Sequence, residues 1–457
     1  EILKKILIKC LILSKNNLMT KIKKGIPLID QHDKNGYWGK FGGNFIPETL
    51  KKPVEDLTKL FEKLRKDKKF LKERDYHYKN WVGSPTPFIK LENLTEHLGG
   101  AQIWAKVVSE AVGGAHKVYG AITHAMLCKY SNKKYLCTDT GAGYNGKMFS
   151  MAAKKFGLGC KVFMGVKDIE RQKPNCDAMQ SNGAEIVPVY TGSQTLVDAV
   201  SEVMRYWVSN CNTVHLGVGS TVGPNIFVKI CGWSTAQISR ELTKQIKDEF
   251  GNVPKKLKLI NCIGGGSSAY GFWSKFIDYD KNQVELIGVE AGGPKNSKLH
   301  AAPLSKGAKL GVLHGAAAYV CQSSEGQINE TESISAGLDY PGVSPLHCFL
   351  KDSGRAKYVY ATDEDTGECD PLATRYDMSS DPIEYYEIYL GMIQDYWASL
   401  LDKSMIDGKG YNQIRNKFSQ AMYEYFRASR HIPKFIGGVY YSRHHIGDIN
   451  KDPFVVV

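Results

Sequence analysis

Leu257-Lys258-Leu259-Ile260-Asn261-Cys262-Ile263-Gly264-Gly265-Gly266-Ser267-Ser268-Ala269-Tyr270 is the stretch that decides how this chain folds. A short, largely apolar run that ends on glycine reads as a strand buried on both faces. Three consecutive glycines make the turn, and Ala269 to Phe276 then carries the apolar spacing of a helix. Glycines let backbone N–H groups approach an anion closely, and a helix N-terminus adds a favourable dipole. Ser267 and Ser268 add two hydroxyl donors. By mechanism this is a phosphate cradle, although it is neither a Walker loop nor a G-x-G-x-x-G dinucleotide fingerprint. A tight turn kept only for packing is the competing reading.

The same alternation runs through the preceding residues. Lys134 to Thr138 reads as a strand, Gly141 to Gly146 as a loop and Lys147 to Phe156 as a helix. Strands at Lys161–Val166 and Glu185–Tyr190 flank a helix at Cys176–Asn182, and Leu196–Val208 forms a helix with Trp207 on its apolar face. Val284–Val289 is the next strand after the triple glycine. Strand–helix alternation with short connections predicts parallel sheets with right-handed crossovers, an α/β protein. A chain of 457 residues is too long for one core. The expected division is an extension at 1–30, an N-terminal α/β domain at 31–234 and a C-terminal α/β domain at 235–457, with a seam near 225–240. A helix is expected over Val54–Leu71, and the helical segment about 54–82 is expected to pack on the other domain.

Charge and cysteine usage exclude several classes. Sixty lysines and arginines against 47 acids give a net charge of +13. The lysines are scattered, and the one basic run lies between Lys4 and Lys24. Neither zinc-finger spacing nor a basic face with interleaved aromatics is present, so no nucleic-acid partner is expected. No apolar run reaches the roughly 18 residues of a membrane span. Eleven cysteines without a C-x-x-C pair fit buried thiols of a reducing compartment, with no disulfide framework and no metal site. A cytoplasmic location is expected. Residues 1–25, basic and poor in acids, leave three readings open: a targeting remnant, a reading-frame artefact or an arm.

Two further motifs carry chemistry. Asp139-Thr140-Gly141-Ala142-Gly143 follows a strand and precedes a helix, and its amides suit a carboxylate. Asp139 reads either as an acid/base or as a turn carboxylate. Gly114-Ala115-His116-Lys117 places a lysine at a helix entry. A desolvated ammonium there would release a free amine for Schiff-base chemistry, while a surface charge is the plainer reading.

Taken together, a longer series of motifs resembles the tryptophan synthase β-chain family, pyridoxal-phosphate enzymes of the fold type II class. The series runs from Gly36-Tyr37-Trp38-Gly39 and Phe45 to Leu50, through Pro85-Thr86-Pro87, Gly114 to Lys117 and Thr140 to Gly143. It continues with Met164-Gly165, Glu170-Arg171-Gln172, Gly223-Pro224 and Gly264 to Ser267, and ends with Gly288-Val289-Glu290, Gly292-Gly293 and Ser335 to Pro341. The resemblance implies two doubly wound α/β domains with pyridoxal 5′-phosphate between them. It implies condensation of L-serine with indole to L-tryptophan and water, a homodimer, an α chain that delivers indole, and a monovalent cation (sodium or potassium) near Gly264, Tyr340 and Gly342.

The roles it implies are specific. Lys117 matches the Schiff-base lysine, and His116 with Gly264, Gly265, Gly266, Ser267 and Ser268 matches the phosphate site. Ser220 falls where the family has a hydroxyl near the cofactor. Thr140, Gly141, Ala142 and Gly143 match the carboxylate loop, and Arg171 with Asp339 matches an ion pair that closes a lid. Glu384 and Ser442 match residues beside the cofactor ring and its pyridine nitrogen. Asp139 stands where the family carries a glutamate acid/base. The chain also departs at Tyr144-Asn145, where Gln-His is usual, at Ser268 for asparagine, in the apolar run Lys106 to Gly113, and in its C-terminal tail. Two rival readings remain: deamination of serine or threonine on the same fold, and an impaired relative kept as a binding subunit.

Overall fold

The computed structural model describes residues 21–92, 95–96, 100–367 and 454–456. In chain order it begins with β1 (Tyr37–Trp38), β2 (Phe41–Gly42), α1 (Glu48–Leu64), α2 (Lys68–His77), β3 (Phe88–Lys90), β4 (Gln102–Lys106) and α3 (Lys117–Tyr130). Next come β5 (Tyr135–Thr140), α4 (Tyr144–Phe156), β6 (Gly159–Gly165), α5 (Val166–Arg171), α6 (Lys173–Ser181), β7 (Ala184–Val189), α7 (Leu196–Asn210) and β8 (Val214–Leu216). They are followed by α8 (Asn225–Thr235), α9 (Gln237–Phe250), β9 (Leu257–Ile263), α10 (Ser267–Trp273) and β10 (Val284–Ala291). The last are β11 (Lys309–Leu313), β12 (Ala316–Val320), α11 (Pro345–Asp352), β13 (Ala356–Ala361), α12 (Asp363–Gly367) and β14 (Phe454–Val456).

Each strand–turn–helix unit read from the sequence is present, with small shifts at its limits. One expected helix divides: Val54–Leu71 is α1 and α2, broken at Arg65–Asp67. The Asp67 side chain accepts the Phe70 N–H at 2.8 Å, and this cap starts a second helix where continuation was expected.

Two sheets carry the architecture. The first is all parallel, in the order β7-β6-β5-β8. The second runs β13-β10-β9-β14-β4-β3, parallel except for β3. Strand β9 is buried along nearly its whole length, as a strand covered by helices on both faces must be. A small antiparallel sheet, β1-β2-β12-β11, lies beside them.

The second sheet draws β3 and β4 from before residue 234 and the rest from after it. It therefore crosses the boundary expected at that residue, because pairing of short strands distant in sequence leaves no local signal. The seam expected at 225–240 is helical: every residue of α8 except Trp233 is buried, and the helix packs on both α3 and α10. Trp207 is buried in the apolar face of α7, as expected. Cys137 and Cys160 are buried free thiols.

An ion pair pins this arrangement. Lys106, at the end of β4, meets Glu241 of α9 at 2.7 Å with both side chains out of solvent. Lys106 also donates to the Thr86 carbonyl at 2.7 Å and to Gln245 Oε1 at 3.0 Å, while Glu241 accepts the Thr86 N–H at 3.0 Å. Burial lowers the pKa of Lys106, and Glu241 opposes that shift. A buried charge left without its partner is costly. Lys106→Met is expected to destabilise the protein by about 3–5 kcal/mol, measured by urea unfolding, whereas replacing both partners with apolar residues should recover most of that loss.

Candidate active site

Three loops converge at the carboxyl ends of β5 and β9, the edge where open α/β sheets hold ligands. Lys117 opens α3, and its Nζ donates to the Gly219 carbonyl at 3.1 Å. Desolvation pushes its pKa below the ordinary lysine value, against the pull of Cys231, Asp139 and Cys262. The neighbouring His116 Nε2 lies 2.9 Å from Ser267 Oγ, joining the start of α3 to the start of α10. Burial, with the Lys117 charge adding to it, drops the His116 pKa to about 3, so this imidazole is neutral.

The glycine loop is tied down on one side. The Gly265 carbonyl accepts the Ser344 N–H at 3.2 Å, and the Gly266 carbonyl accepts from His347 Nε2 at 2.7 Å. A trans peptide points its N–H opposite to its carbonyl, so the N–H groups of Gly266 and Ser267 face away from these anchors. His347 must donate through Nε2, so its Nδ1 accepts from the Tyr358 hydroxyl at 2.9 Å. Gly266 has a φ of +93°, which a side chain would strain. A Cβ at Gly265 would lie 2.2 Å from Ser220 Oγ, which places the predicted hydroxyl against the loop. Gly337 O and Leu338 Cα both lie 3.1 Å from the Cβ position of Gly264, so these two residues pack on the same loop.

Across the cleft, Asp139 and Thr140 end β5. The Asn145 side-chain amide donates to the Asp139 carbonyl at 2.6 Å and to Thr138 Oγ1 at 2.8 Å. Burial raises the Asp139 carboxyl to about 6, partly countered by Lys117. Asp139 Oδ1, Thr140 Oγ1 and Asn145 Oδ1 are buried with no hydrogen-bond partner among the described residues. Buried polar atoms without partners are rare, and a cluster of them at a sheet edge marks a place where a polar ligand binds. The Ala142 carbonyl is held by Asn175 at 2.9 Å, and Gly143 takes a φ of +85° to start α4. The groups fit pyridoxal phosphate: an amine, a glycine cradle at a helix start, a neutral imidazole and a carboxylate near neutrality.

The predicted ion pair between Arg171 and Asp339 is not made. Arg171 binds Asp168, three residues earlier on α5, at 2.5 Å. Asp339 Oδ1 is buried without a hydrogen-bond partner among the described residues. A partner within one helical turn holds the guanidinium without the loop having to move. Glu384 and Ser442 lie outside the described residues. Asn145 and His347 were missed in the sequence as anchors of backbone carbonyls, which have no motif of their own, and Asp168 as the partner of Arg171.

A family profile described as pyridoxal-phosphate dependent enzyme matches residues 82–368, well over half the chain. A tryptophan synthase beta chain from Bacillus pumilus (strain SAFR-032) is 42% identical over 340 residues, covering 74% of this chain and 84% of that one. The chain belongs to the tryptophan synthase β-chain family of pyridoxal-phosphate-dependent enzymes. Its fold is that of a diaminopropionate ammonia lyase from Escherichia coli, with a TM-score of 0.50 at 19% identity over 71% of this chain and 75% of that one. A second profile, described as Met-zincin, matches residues 344–457, most of them outside the described residues. Among the described residues no group of His, Cys, Asp and Glu could hold a metal ion.

For this family member, Gly265→Ala is expected to weaken pyridoxal-phosphate binding about tenfold or more, because the new methyl group and Ser220 cannot share the space. Fluorescence titration of the purified variant checks it, with circular dichroism to confirm folding.

Proposed function

We propose that the chain catalyses β-replacement on L-serine by indole, giving L-tryptophan and water. The observation that supports this is the meeting of Lys117, the His116–Ser267 pair and Asp139 at the carboxyl ends of β5 and β9, one strand from each large sheet. When bound, pyridoxal phosphate supplies the electron sink that acidifies the α-proton of an amino acid joined to it. Lys117 Nζ is the base that takes this proton and later returns it. The Ser267 hydroxyl, the neutral His116 and the N–H groups of Gly266 and Ser267 would hold the phosphate. The Thr140–Gly143 amides would hold the substrate carboxylate.

Asp139 carries the leaving-group chemistry. A carboxyl that titrates at about 6 is mostly ionised at neutral pH yet accepts a proton readily. It receives the proton held by Lys117 and delivers it to the serine β-hydroxyl, so the Cβ–O bond breaks with loss of water. The ionised form then accepts a hydrogen bond from the indole N–H, takes the indole C3 proton as the new Cβ–C bond forms, and passes it to Lys117 for return to Cα. By family membership we also propose a homodimer, an α-chain partner that supplies indole, and a monovalent cation near Gly264, Tyr340 and Gly342.

The pH dependence follows from the direction of the Asp139 shift. The resting carboxylate is required, so kcat/KM falls as pH drops below about 6. Asp139→Asn is expected to lower kcat by about 10²–10⁴ and to remove that acidic limb; a limb that persists in the variant would assign it elsewhere.

A second reading, deamination of serine or threonine, is favoured by one observation: Arg171 is held by Asp168 and not by Asp339. Water reaching the site would divert the same chemistry to pyruvate. Measuring tryptophan and pyruvate with and without indole separates the two. Tryptophan in excess is the expected result, and Lys117→Ala should abolish both products. A chain that serves only as a binding subunit would make neither before or after that change.

A further inference from the structure

Helix α4 meets the loop that holds the Lys117 amine through two side chains one turn apart. Asn145 Oδ1 lies 1.6 Å from the Cβ position of Gly219, and Phe149 Cε1 lies 2.0 Å from that of Gly217. A side chain at either glycine would drive the loop off the helix, so the two glycines let the backbone lie against α4. Gly219 is also the residue whose carbonyl accepts from Lys117 Nζ at 3.1 Å. Where Gly219 sits therefore decides where the amine sits.

The same Asn145 amide grips the strand that carries the acid. Its Nδ2 donates to the Asp139 carbonyl at 2.6 Å and to Thr138 Oγ1 at 2.8 Å. A carbonyl can only accept, so the amide is forced to present Nδ2 to β5 and Oδ1 to Gly219. Thr138 Oγ1 passes the link on, donating to the Gly217 carbonyl at 2.7 Å, and the Gly217 N–H donates to the Cys137 carbonyl at 2.9 Å. Asn145 is more than nine-tenths buried, so these bonds are made out of water, where each is stronger than at the surface.

We propose that Asn145 is a positioning residue that fixes the separation between the Lys117 amine and the Asp139 carboxyl. One planar amide holds the end of β5 with its nitrogen and abuts the 217–219 loop with its oxygen, so a rigid group of fixed width spans the acid's strand and the amine's anchor. A misplacement of about 1 Å costs orders of magnitude in rate, and the proton exchange between Lys117 and Asp139 described above depends on that spacing. Histidine is usual in the family at this position, and no single imidazole nitrogen donates twice. The inference deepens the proposed reaction and rests on Lys117 and Asp139 as its proton-exchanging pair, while the spacing itself belongs to the chain without substrate.

Competitive labelling of the full-length protein with acetic anhydride, before pyridoxal phosphate is added, reads the pH midpoint of the Lys117 amine by peptide mass spectrometry. The exposed Lys255 serves as reference. Asp139→Asn removes a carboxylate that favours the ammonium form and should lower the Lys117 midpoint by about one unit. In an Asn145→Ala background the same change should lower it by at most about half that. Shifts of equal size in the two backgrounds would overturn the proposal. Should Asn145→Ala not fold, Thr138→Val decides: it keeps the side-chain shape, cuts the hydroxyl link from Nδ2 to Gly217 and should also shrink the shift, and an undiminished shift sinks the idea. The labelling involves neither serine nor indole, so it stands or falls apart from that assignment.

Discussion

The desolvated amine of Lys117 is the constraint around which the rest of the site is arranged. An ammonium taken out of water loses hydration that a single carbonyl cannot replace, and among the described residues the Gly219 oxygen is the one hydrogen-bond acceptor it reaches. Desolvation shifts the balance toward the free amine, the nucleophilic form that amine chemistry needs. The other groups follow from this. Asp139 sits close enough to be pulled down by any charge on the lysine, yet its own burial dominates and raises its carboxyl to about 6. Burial, with any charge on Lys117 adding to it, keeps His116 neutral, bound to Ser267.

Rigid anchors surround this soft pair. His347 fixes the Gly266 carbonyl, Asn145 fixes the Asp139 carbonyl and Asn175 fixes the Ala142 carbonyl. Each one fixes a peptide plane, with the N–H on the side away from the anchor. Helix α8, buried along nearly all its length between α3 and α10, keeps the lysine and the glycine loop in one frame. Preorganised donors of this kind cost nothing at the moment of reaction, which is where much of an enzyme's advantage lies.

Much of this was legible in the sequence where structure is local. The units around Gly141–Gly143 and Gly264–Gly266 were readable because a buried strand, a glycine turn and an amphipathic helix each leave a periodic signal within a few residues. Strand β4 was not, since Gln102–Lys106 is short and its partners are Phe88–Lys90 and Phe454–Val456. Lys106 belonged to a run that seemed merely altered, yet it is the buried half of an ion pair with Glu241, a residue far along the chain. His314 left no trace either: at φ +50° it turns the β11–β12 hairpin and bridges Tyr340 to the Val197 carbonyl, a conformation usually left to glycine or asparagine. The Arg171–Asp339 pairing failed as a static contact because a nearer carboxylate, Asp168, competes within the same helix.

Strand β14 has a consequence for the order of assembly. Sheet β7-β6-β5-β8 is built from strands that follow one another closely, so its ladder can close while the chain is still short. The sheet that presents Gly264–Ser267 has Phe454–Val456 at its middle, paired with β9 on one side and β4 on the other. Until those residues arrive, the two halves of that sheet face each other across an open slot with unpaired backbone edges. The carboxylate-loop half of the site thus draws on strands close in sequence, whereas the glycine-loop half needs a strand from residues 454–456.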